Sequence, residues 1–192
     1  MISRPTPYKA IVIGGSAGSF PVITKVLSSL KTPYRIPLIL CLHRLKHVRS
    51  GFVEALSIKS NIKVVEPFDK QTIKPGFAYL APANYHLSIE LGNHFSLSTE
   101  EMVSYSRPSI DITFESCGFA YKQKLLGVIL SGANKDGAHG IRKVKAYGGT
   151  TLVQDPMESK VATMPTAAIE SHKPNHIYSS QKIIDFLNLI NR

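Results

Sequence analysis

The sequence lacks tryptophan, long apolar segments and all but two cysteines. Cys41 and Cys117 are too few and too widely separated for a disulfide framework or a zinc ribbon, so we expect both to be buried, reduced thiols. No apolar run approaches the roughly 20 residues of a membrane-spanning helix, and the N-terminus has no apolar segment typical of a signal peptide. These absences argue against a disulfide-rich secreted protein and predict a cytoplasmic one without membrane insertion.

Acidic residues are also scarce: 13 Asp and Glu stand against 23 Lys and Arg, which gives a net charge of +10 at pH 7. A positive field attracts polyanions, including nucleic acid, anionic membranes and acidic proteins. The basic residues are spread along the chain except for one concentration at Arg44, Lys46, His47 and Arg49. Because no nucleic-acid-binding motif and no aromatic platform accompany them, we expect an acidic protein partner and no nucleic acid.

Short β-branched runs alternate with helical stretches, which predicts an α/β fold. With 192 residues, 43% of them hydrophobic, the chain can bury one core, and we expect a single domain over residues 1–192. The predicted fold is a three-layer, doubly wound, mainly parallel sheet with a small β-hairpin insertion. Strands are predicted at 10–13, 37–42, 125–130 and 150–154. Helices are predicted at 21–30, 110–120, 141–147, 165–171 and 180–190, and a further helix is predicted to start over 50–56. A β-rich insertion is predicted at 61–98, with a hairpin near Gly92.

Three of the predicted strands end in loops that carry a nucleophile or a titratable group. The first strand leads into a glycine-rich turn containing Ser16, the second into His43, and the third into a loop containing Asp136. The carboxyl ends of parallel strands lie at one edge of the sheet, where ligands bind. We therefore predict a triad in which His43 takes the proton of Ser16 while Asp136 fixes the histidine tautomer.

Each of these residues also has a simpler interpretation. A glycine turn before a helix suits phosphate, but the G-x-G-x-x-G spacing, a Walker lysine and an acidic residue after the second strand are all missing. His43 can be a polar strand-end residue, Asp136 a turn or N-cap residue, and Cys41 a buried strand thiol or a nucleophile. Because no glutamate follows His43 as in H-E-x-x-H, we expect no metal site, and no cofactor is predicted.

Longer segments around these residues match one family in chain order. They are 12–18 with Ser16, Leu42-His43 followed by Phe52 and Leu56, Ala81-Pro82 with His86, 107–111, 130–140 with Asp136, 154–156, and Met164-Pro165 with Ala168-Ile169. In these segments the chain resembles the catalytic domain of the CheB-type chemotaxis methylesterases. The resemblance extends from about residue 11 to residue 171, nearly the whole chain.

The resemblance implies a serine hydrolase that cleaves glutamate methyl esters on chemoreceptor signalling helices and also deamidates selected glutamines. It assigns the attack on the ester carbonyl to Ser16, the proton relay to His43 and the orientation of the histidine to Asp136. Backbone groups of Gly15 and Ala133 are expected to hold or support the oxyanion. No cofactor is implied.

The chain also departs from that family. Gly15 replaces a usual alanine, Ser19 a usual glycine and Ala133 a usual methionine, and Leu42 and Arg44 stand where glutamine and methionine are common. The chemotaxis enzymes usually carry an N-terminal phosphoacceptor receiver domain, for which no residues are present before the first strand. We therefore expect a domain that is constitutive, controlled by a separate regulator in place of the receiver, or diverted to another ester.

The basic residues after His43 suggest how a substrate is recruited. Arg44, Lys46 and Arg49 are expected to steer acidic methylated helices of chemoreceptors or related signalling proteins toward Ser16, while a solvated basic surface is the simpler alternative. Two other functions stay open, a non-catalytic module that binds receptor or signalling proteins and an esterase acting on a different ester. The complete set of triad residues favours an enzyme.

Overall fold

The fold is described from a computed structural model, over residues 8–43 and 51–191. The strands are β1 (Ala10–Gly15), β2 (Leu38–Leu42), β3 (Lys63–Val65), β4 (Phe77–Leu80), β5 (His86–Glu90), β6 (His94–Ser98), β7 (Leu125–Ile129), β8 (Thr150–Gln154) and β9 (His176–Tyr178). The helices are α1 (Phe20–Ser29), α2 (Phe52–Ser57), α3 (Ile110–Tyr121), α4 (Ala138–Ala146), α5 (Thr163–Ser171) and α6 (Ser180–Ile190), with a 3-10 turn at Lys122–Lys124.

Seven strands form one parallel sheet in the order β3-β4-β2-β1-β7-β8-β9, and β5 pairs with β6 as a separate antiparallel hairpin. The central strand β1 lies between β2 and β7, so that Gly14 is level with Cys41 on one side and Ile129 on the other. At this strand the chain changes its direction of travel across the sheet, which is where doubly wound folds place their sites. The predicted fold class is confirmed.

Both faces of the sheet are buried, which explains why its strands are continuously apolar. Successive residues of β1 alternate between the two sides: Ile11 and Ile13 pack with α1, α2 and α6, whereas Ala10 and Val12 pack with α3, α4, α5 and the hairpin. The molecule therefore has three layers, and the loops that leave the carboxyl ends of β1, β2 and β7 emerge together at one edge.

The predicted β-rich insertion at 61–98 is too long. Only residues 86–98 form the separate hairpin, while β3 and β4 pair in parallel with the main sheet. The strand β9 was not predicted, because three residues are too few for a periodicity to be visible. Both cysteines are buried thiols, and burial raises the pKa of Cys117 well above its ordinary value. In the ranges covered by the structure, no helix is long and apolar enough to cross a membrane.

Candidate active site

Ser16 follows β1 directly, and hydrogen bonds fix its backbone on two sides. Its N–H donates to the carbonyl of Ser131 at 2.9 Å, and its own carbonyl accepts from the N–H of Ser19 at 3.0 Å and from the Ser19 hydroxyl at 2.7 Å. The Ser131 hydroxyl in turn donates to the carbonyl of Ala17 at 2.7 Å. The loops after β1 and β7 are thus tied together, while Ser16 itself stays partly exposed.

The structure of the turn explains its glycine at position 18 without a bound phosphate. Gly18 adopts a φ of +83°, a conformation that disfavours L side chains. A Cβ atom at this position would also come within 2.6 Å of the Lys160 Cβ and 2.8 Å of the Ser131 Oγ. Backbone conformation and close packing therefore require glycine here.

His43 follows β2 and continues the pairing of that strand with β1 for one more residue. Its N–H donates to the carbonyl of Gly15 at 3.1 Å, which places His43 beside the turn that carries Ser16. On the other side of the imidazole, Nε2 lies 2.8 Å from Oδ2 of Asp136. The loops after β2 and β7, which the sequence predicted to meet at one edge of the sheet, therefore bring His43 and Asp136 into contact.

Asp136 is buried, with 1% of its surface exposed, and it lies at the N-terminus of α3. Its Oδ2 accepts from His43 and from the N–H of Ile110 at 2.8 Å; its Oδ1 accepts from the N–H of Asp111 at 3.0 Å and from the hydroxyl of Ser109 at 3.1 Å. Ser109 is the N-cap of the helix. Amides at a helix N-terminus favour a negative charge, so this site suits a carboxylate rather than a carboxylic acid.

These contacts determine the protonation of the pair. Burial alone would raise the pKa of Asp136, but the hydrogen bonds from His43, Ile110 and Asp111 and the nearby histidine charge hold that pKa below its ordinary value. An ionised Asp136 can only accept hydrogen bonds, so the proton of the neutral imidazole lies on Nε2. The other ring nitrogen, Nδ1, is then an acceptor and can serve as a base.

A second carboxylate, Asp111, makes the reciprocal contact with the N-terminus of α4. Its Oδ1 accepts from the N–H of Gly137 at 2.9 Å and of Gly140 at 2.7 Å. Burial raises the pKa of Asp111, its hydrogen bonds from Gly140 and Gly137 oppose the rise, and the neighbouring Asp136 adds to it. The N-cap residue of α4 is Gly137, which has no side chain to cap the helix. The alternative interpretation of Asp136 as the N-cap of this helix is therefore wrong.

Asn134 also contacts His43 and was not singled out by the sequence analysis. Its Oδ1 accepts from the N–H of Asp136 at 3.1 Å, and its Nδ2 lies 3.3 Å from Nδ1 of His43. An asparagine two residues before a backbone donor is typical of an Asx turn, which is the sequence signal that could have identified it. The contact with the histidine spans 91 residues and has no local signature.

The other predicted site residues lie in different environments. Gly15 is the last residue of β1, and its carbonyl is engaged by His43. Ala133 is exposed, and within the described ranges its N–H makes no hydrogen bond. Over the same residues, His43 bonds to Gly15, the neighbour of Ser16 in the chain, but no hydrogen bond joins the side chains of Ser16 and His43. No group of three or more His, Cys, Asp or Glu residues in these ranges could hold a metal ion. The predicted steering residues Arg44, Lys46 and Arg49 fall outside the described residues.

Known proteins share this sequence pattern and fold. A family model described as CheB methylesterase matches residues 11–187. The chain belongs to the CheB methylesterase family. A relative from Leptospira interrogans (serogroup Icterohaemorrhagiae, serovar copenhageni, strain Fiocruz L1-130) is 43% identical over 178 residues, which make up 93% of this chain and 92% of the relative. That relative is provisionally named protein-glutamate methylesterase/protein-glutamine glutaminase.

Another CheB relative is longer. The protein-glutamate methylesterase/protein-glutamine glutaminase of Thermotoga maritima is 32% identical over 182 residues, which cover 91% of this chain and 52% of the relative. The crystal structure of the Thermotoga maritima CheB methylesterase catalytic domain superimposes with a TM-score of 0.90 at 31% identity, covering 95% of this chain and 98% of that structure. The family resemblance inferred from the motifs is therefore confirmed.

Proposed function

We propose that this chain is a serine hydrolase that demethylates glutamate methyl esters on signalling proteins, with Ser16 as nucleophile, His43 as base and Asp136 as the residue that orients it. The observation that carries the proposal is the 2.8 Å contact between His43 and the buried, ionised Asp136, next to the turn that presents Ser16. This contact puts the proton on Nε2 and leaves Nδ1 to accept the serine proton.

In the first half of the reaction, Nδ1 of His43 takes the proton of Ser16 as Oγ attacks the ester carbonyl carbon. The carbonyl oxygen becomes an oxyanion, and we assign the N–H of Ala133, an exposed residue in the same loop as Asp136, as a donor to that oxygen. The intermediate collapses, the bond to the methoxy oxygen breaks, and His43 returns the proton so that methanol leaves. Ser16 then carries the glutamyl group as an ester.

In the second half, a water molecule gives a proton to His43 and attacks the acyl-enzyme carbonyl. Collapse breaks the bond to Ser16, which regains its proton, and a glutamate side chain is released. The same acyl-enzyme forms from a glutamine side chain when ammonia leaves in place of methanol. This shared intermediate fits the double names of the relatives, protein-glutamate methylesterase/protein-glutamine glutaminase.

We further propose that the substrates are acidic methylated helices of chemoreceptors or related signalling proteins in the cytoplasm. The net charge of +10 supports an acidic partner, and Lys160 lies against Gly18 in the loop next to Ser16. Arg44, Lys46 and Arg49 follow His43 in sequence and are proposed to add to this attraction. A separate regulator is proposed to control access to the site.

The test compares wild type with Ser16→Ala and His43→Ala. Methanol release from methylated receptor membranes and labelling by a fluorophosphonate probe, mapped by mass spectrometry, should both be lost in Ser16→Ala and strongly reduced in His43→Ala. Methanol release that persists in Ser16→Ala would refute the serine mechanism. A wild type that binds the receptor but neither labels nor releases methanol would instead be a non-catalytic binding module.

A further inference from the structure

The orientation of the Asn134 carboxamide follows from its neighbours. The N–H of Asp136 can only donate, so the group that faces it at 3.1 Å is the amide oxygen of Asn134. The amide nitrogen must then be the atom that faces His43 Nδ1 at 3.3 Å. Asn134 is therefore a donor at the histidine nitrogen that has to accept the serine proton.

Proton transfer reverses the chemistry of this contact. In the resting site, Nδ1 of His43 is an acceptor because Nε2 donates to Asp136, and the Asn134 amide can donate to it. The ring nitrogen has one lone pair, so the Ser16 hydroxyl must replace the Asn134 amide on Nδ1 before its proton is transferred. Once Nδ1 carries that proton it can no longer accept a hydrogen bond, so the amide stays free while the oxyanion forms.

The released amide and the attacking oxygen are neighbours of the same nitrogen atom. Nδ1 has to be within hydrogen-bond reach of Ser16 Oγ for the transfer, and the amide nitrogen of Asn134 is 3.3 Å from Nδ1, which puts this donor in the neighbourhood of the carbonyl group that Oγ attacks. Asn134 also adjoins Ala133, an exposed residue whose N–H makes no hydrogen bond within the part of the chain that the structure describes. One backbone donor and one side-chain donor are therefore adjacent in the same loop.

We propose that Asn134 is a catalytic residue that donates its side-chain amide to the oxyanion, and that the Asx turn with Asp136 holds this amide on His43 until the Ser16 hydroxyl takes its place on Nδ1. Because the donor binds the transition state and not the ground-state ester, its loss should lower kcat more than it raises KM. The inference rests on the proposed function, since it requires Ser16 to attack a carbonyl.

The experiment uses Asn134→Ala and Asn134→Asp in the full chain, with Lys135→Ala as a control on an exposed side chain of the same loop. Asn134→Asp keeps an oxygen for the N–H of Asp136 but has no amide donor, so it separates the turn from the donation. The readouts are kcat and KM for methanol release from methylated receptor membranes, the rate of fluorophosphonate labelling of Ser16, and the melting temperature.

Both Asn134 variants should lose about 10²–10³-fold in kcat, with KM within about twofold of wild type and labelling slowed in parallel, because one oxyanion donor contributes about that factor. The rate at which the uncharged fluorophosphonate probe labels Ser16 in Lys135→Ala should be within about twofold of the wild-type rate, because this variant removes no proposed oxyanion donor. The carboxylate of Asn134→Asp should also shift the acid limb of the kcat/KM profile to higher pH, so the variants are compared on the plateau.

Two results would overturn the inference while leaving the proposed function intact. If Asn134→Asp kept wild-type kcat on the plateau, Asn134 would only support the turn. If Asn134→Ala labelled faster than wild type, the amide would block the base instead of serving the oxyanion. Methanol release that survives Ser16→Ala would refute the proposed function first, and the inference with it.

Discussion

Two of the family departures in the nucleophile turn, Gly15 and Ser19, explain each other. A Cβ atom on Gly15 would lie 2.7 Å from both Cβ and Oγ of Ser19, closer than such atoms approach in real structures. Ser19 cannot move outward freely, because only 2% of its surface is exposed and its hydroxyl donates to the Ser16 carbonyl at 2.7 Å. Gly15→Ala should therefore displace Ser19 and disturb the turn that carries Ser16, the proposed nucleophile.

The cost can be worked out from these contacts. Overpacking a buried site costs about 1–3 kcal/mol, and in a chain of this size each kcal/mol lowers Tm by about 2–4 °C, so Gly15→Ala should lower Tm by about 2–12 °C. Ser19→Gly removes the hydrogen bond of the Ser19 hydroxyl, worth about 1 kcal/mol, and increases the conformational entropy of the unfolded chain. The N–H of residue 19 still donates to the Ser16 carbonyl. In Gly15→Ala with Ser19→Gly the clash is absent, so the second change should rescue the first.

A double-mutant cycle measured by urea and thermal unfolding tests the pair, together with the rate of fluorophosphonate labelling of Ser16. The expected coupling energy is about 1–3 kcal/mol in favour of the double variant, whose labelling should recover toward that of Ser19→Gly. Ser28→Gly, on the same helix but without contact to Gly15, should give no rescue. If the two single costs added to within about 0.5 kcal/mol, the packing argument would be refuted.

Three further predictions concern the two carboxylates. Asp136→Asn should lower kcat by about 10⁴-fold, because an amide group facing Nε2 of His43 reverses the histidine tautomer, and activity within tenfold of wild type in a methanol-release assay would contradict this. The pKa of Asp136 is held below its ordinary value of 3.8, so its stabilisation is complete above that pH and is lost as the pH falls through the lower native value. Urea unfolding at stepped acidic pH should therefore show a steeper loss in wild type than in Asp136→Asn, and parallel curves would exclude it. Asp111→Ala leaves the N–H groups of Gly137 and Gly140 without their acceptor and should cost about 1–3 kcal/mol in the free energy of unfolding, which an unchanged urea midpoint would disprove.

The strand ends that carry Ser16, His43 and Asp136 could be predicted because each has a local signal. Ser16, His43 and Asp136 all follow apolar runs of strand length, and parallel strands deliver their carboxyl ends to one edge. Because β1 pairs with both β2 and β7, the loops after these three strands lie next to one another. This pairing also follows from the doubly wound topology. The sequence pattern therefore predicts at which edge of the sheet the site lies and which residue types it contains.

The remaining parts of the site depend on contacts between distant segments, which no local pattern encodes. Asn134 reaches His43 across 91 residues, and Ser109 reaches Asp136 across 27. Helix α4 was predicted to begin at residue 141 but begins at Ala138, although Gly140 lowers the helix propensity of this turn. The carboxylate of Asp111 supplies the missing capping interaction from another helix, and such an acceptor is invisible in the sequence around α4.

The two carboxylates also explain how the structure orients His43, the proposed base, without a substrate. Asp136 is held by three donors at the start of α3, namely Ser109, Ile110 and Asp111, and these donors do not depend on His43. In turn, Asp111 of α3 accepts hydrogen bonds from the N-terminus of α4, which follows the loop that carries Asp136. Each helix N-terminus is satisfied by the aspartate of the other segment, so the position of the Asp136 carboxylate is set by the packing of α3 on α4. Because that carboxylate selects the tautomer of His43, the packing of two helices determines which imidazole nitrogen is free to accept a proton in the proposed mechanism.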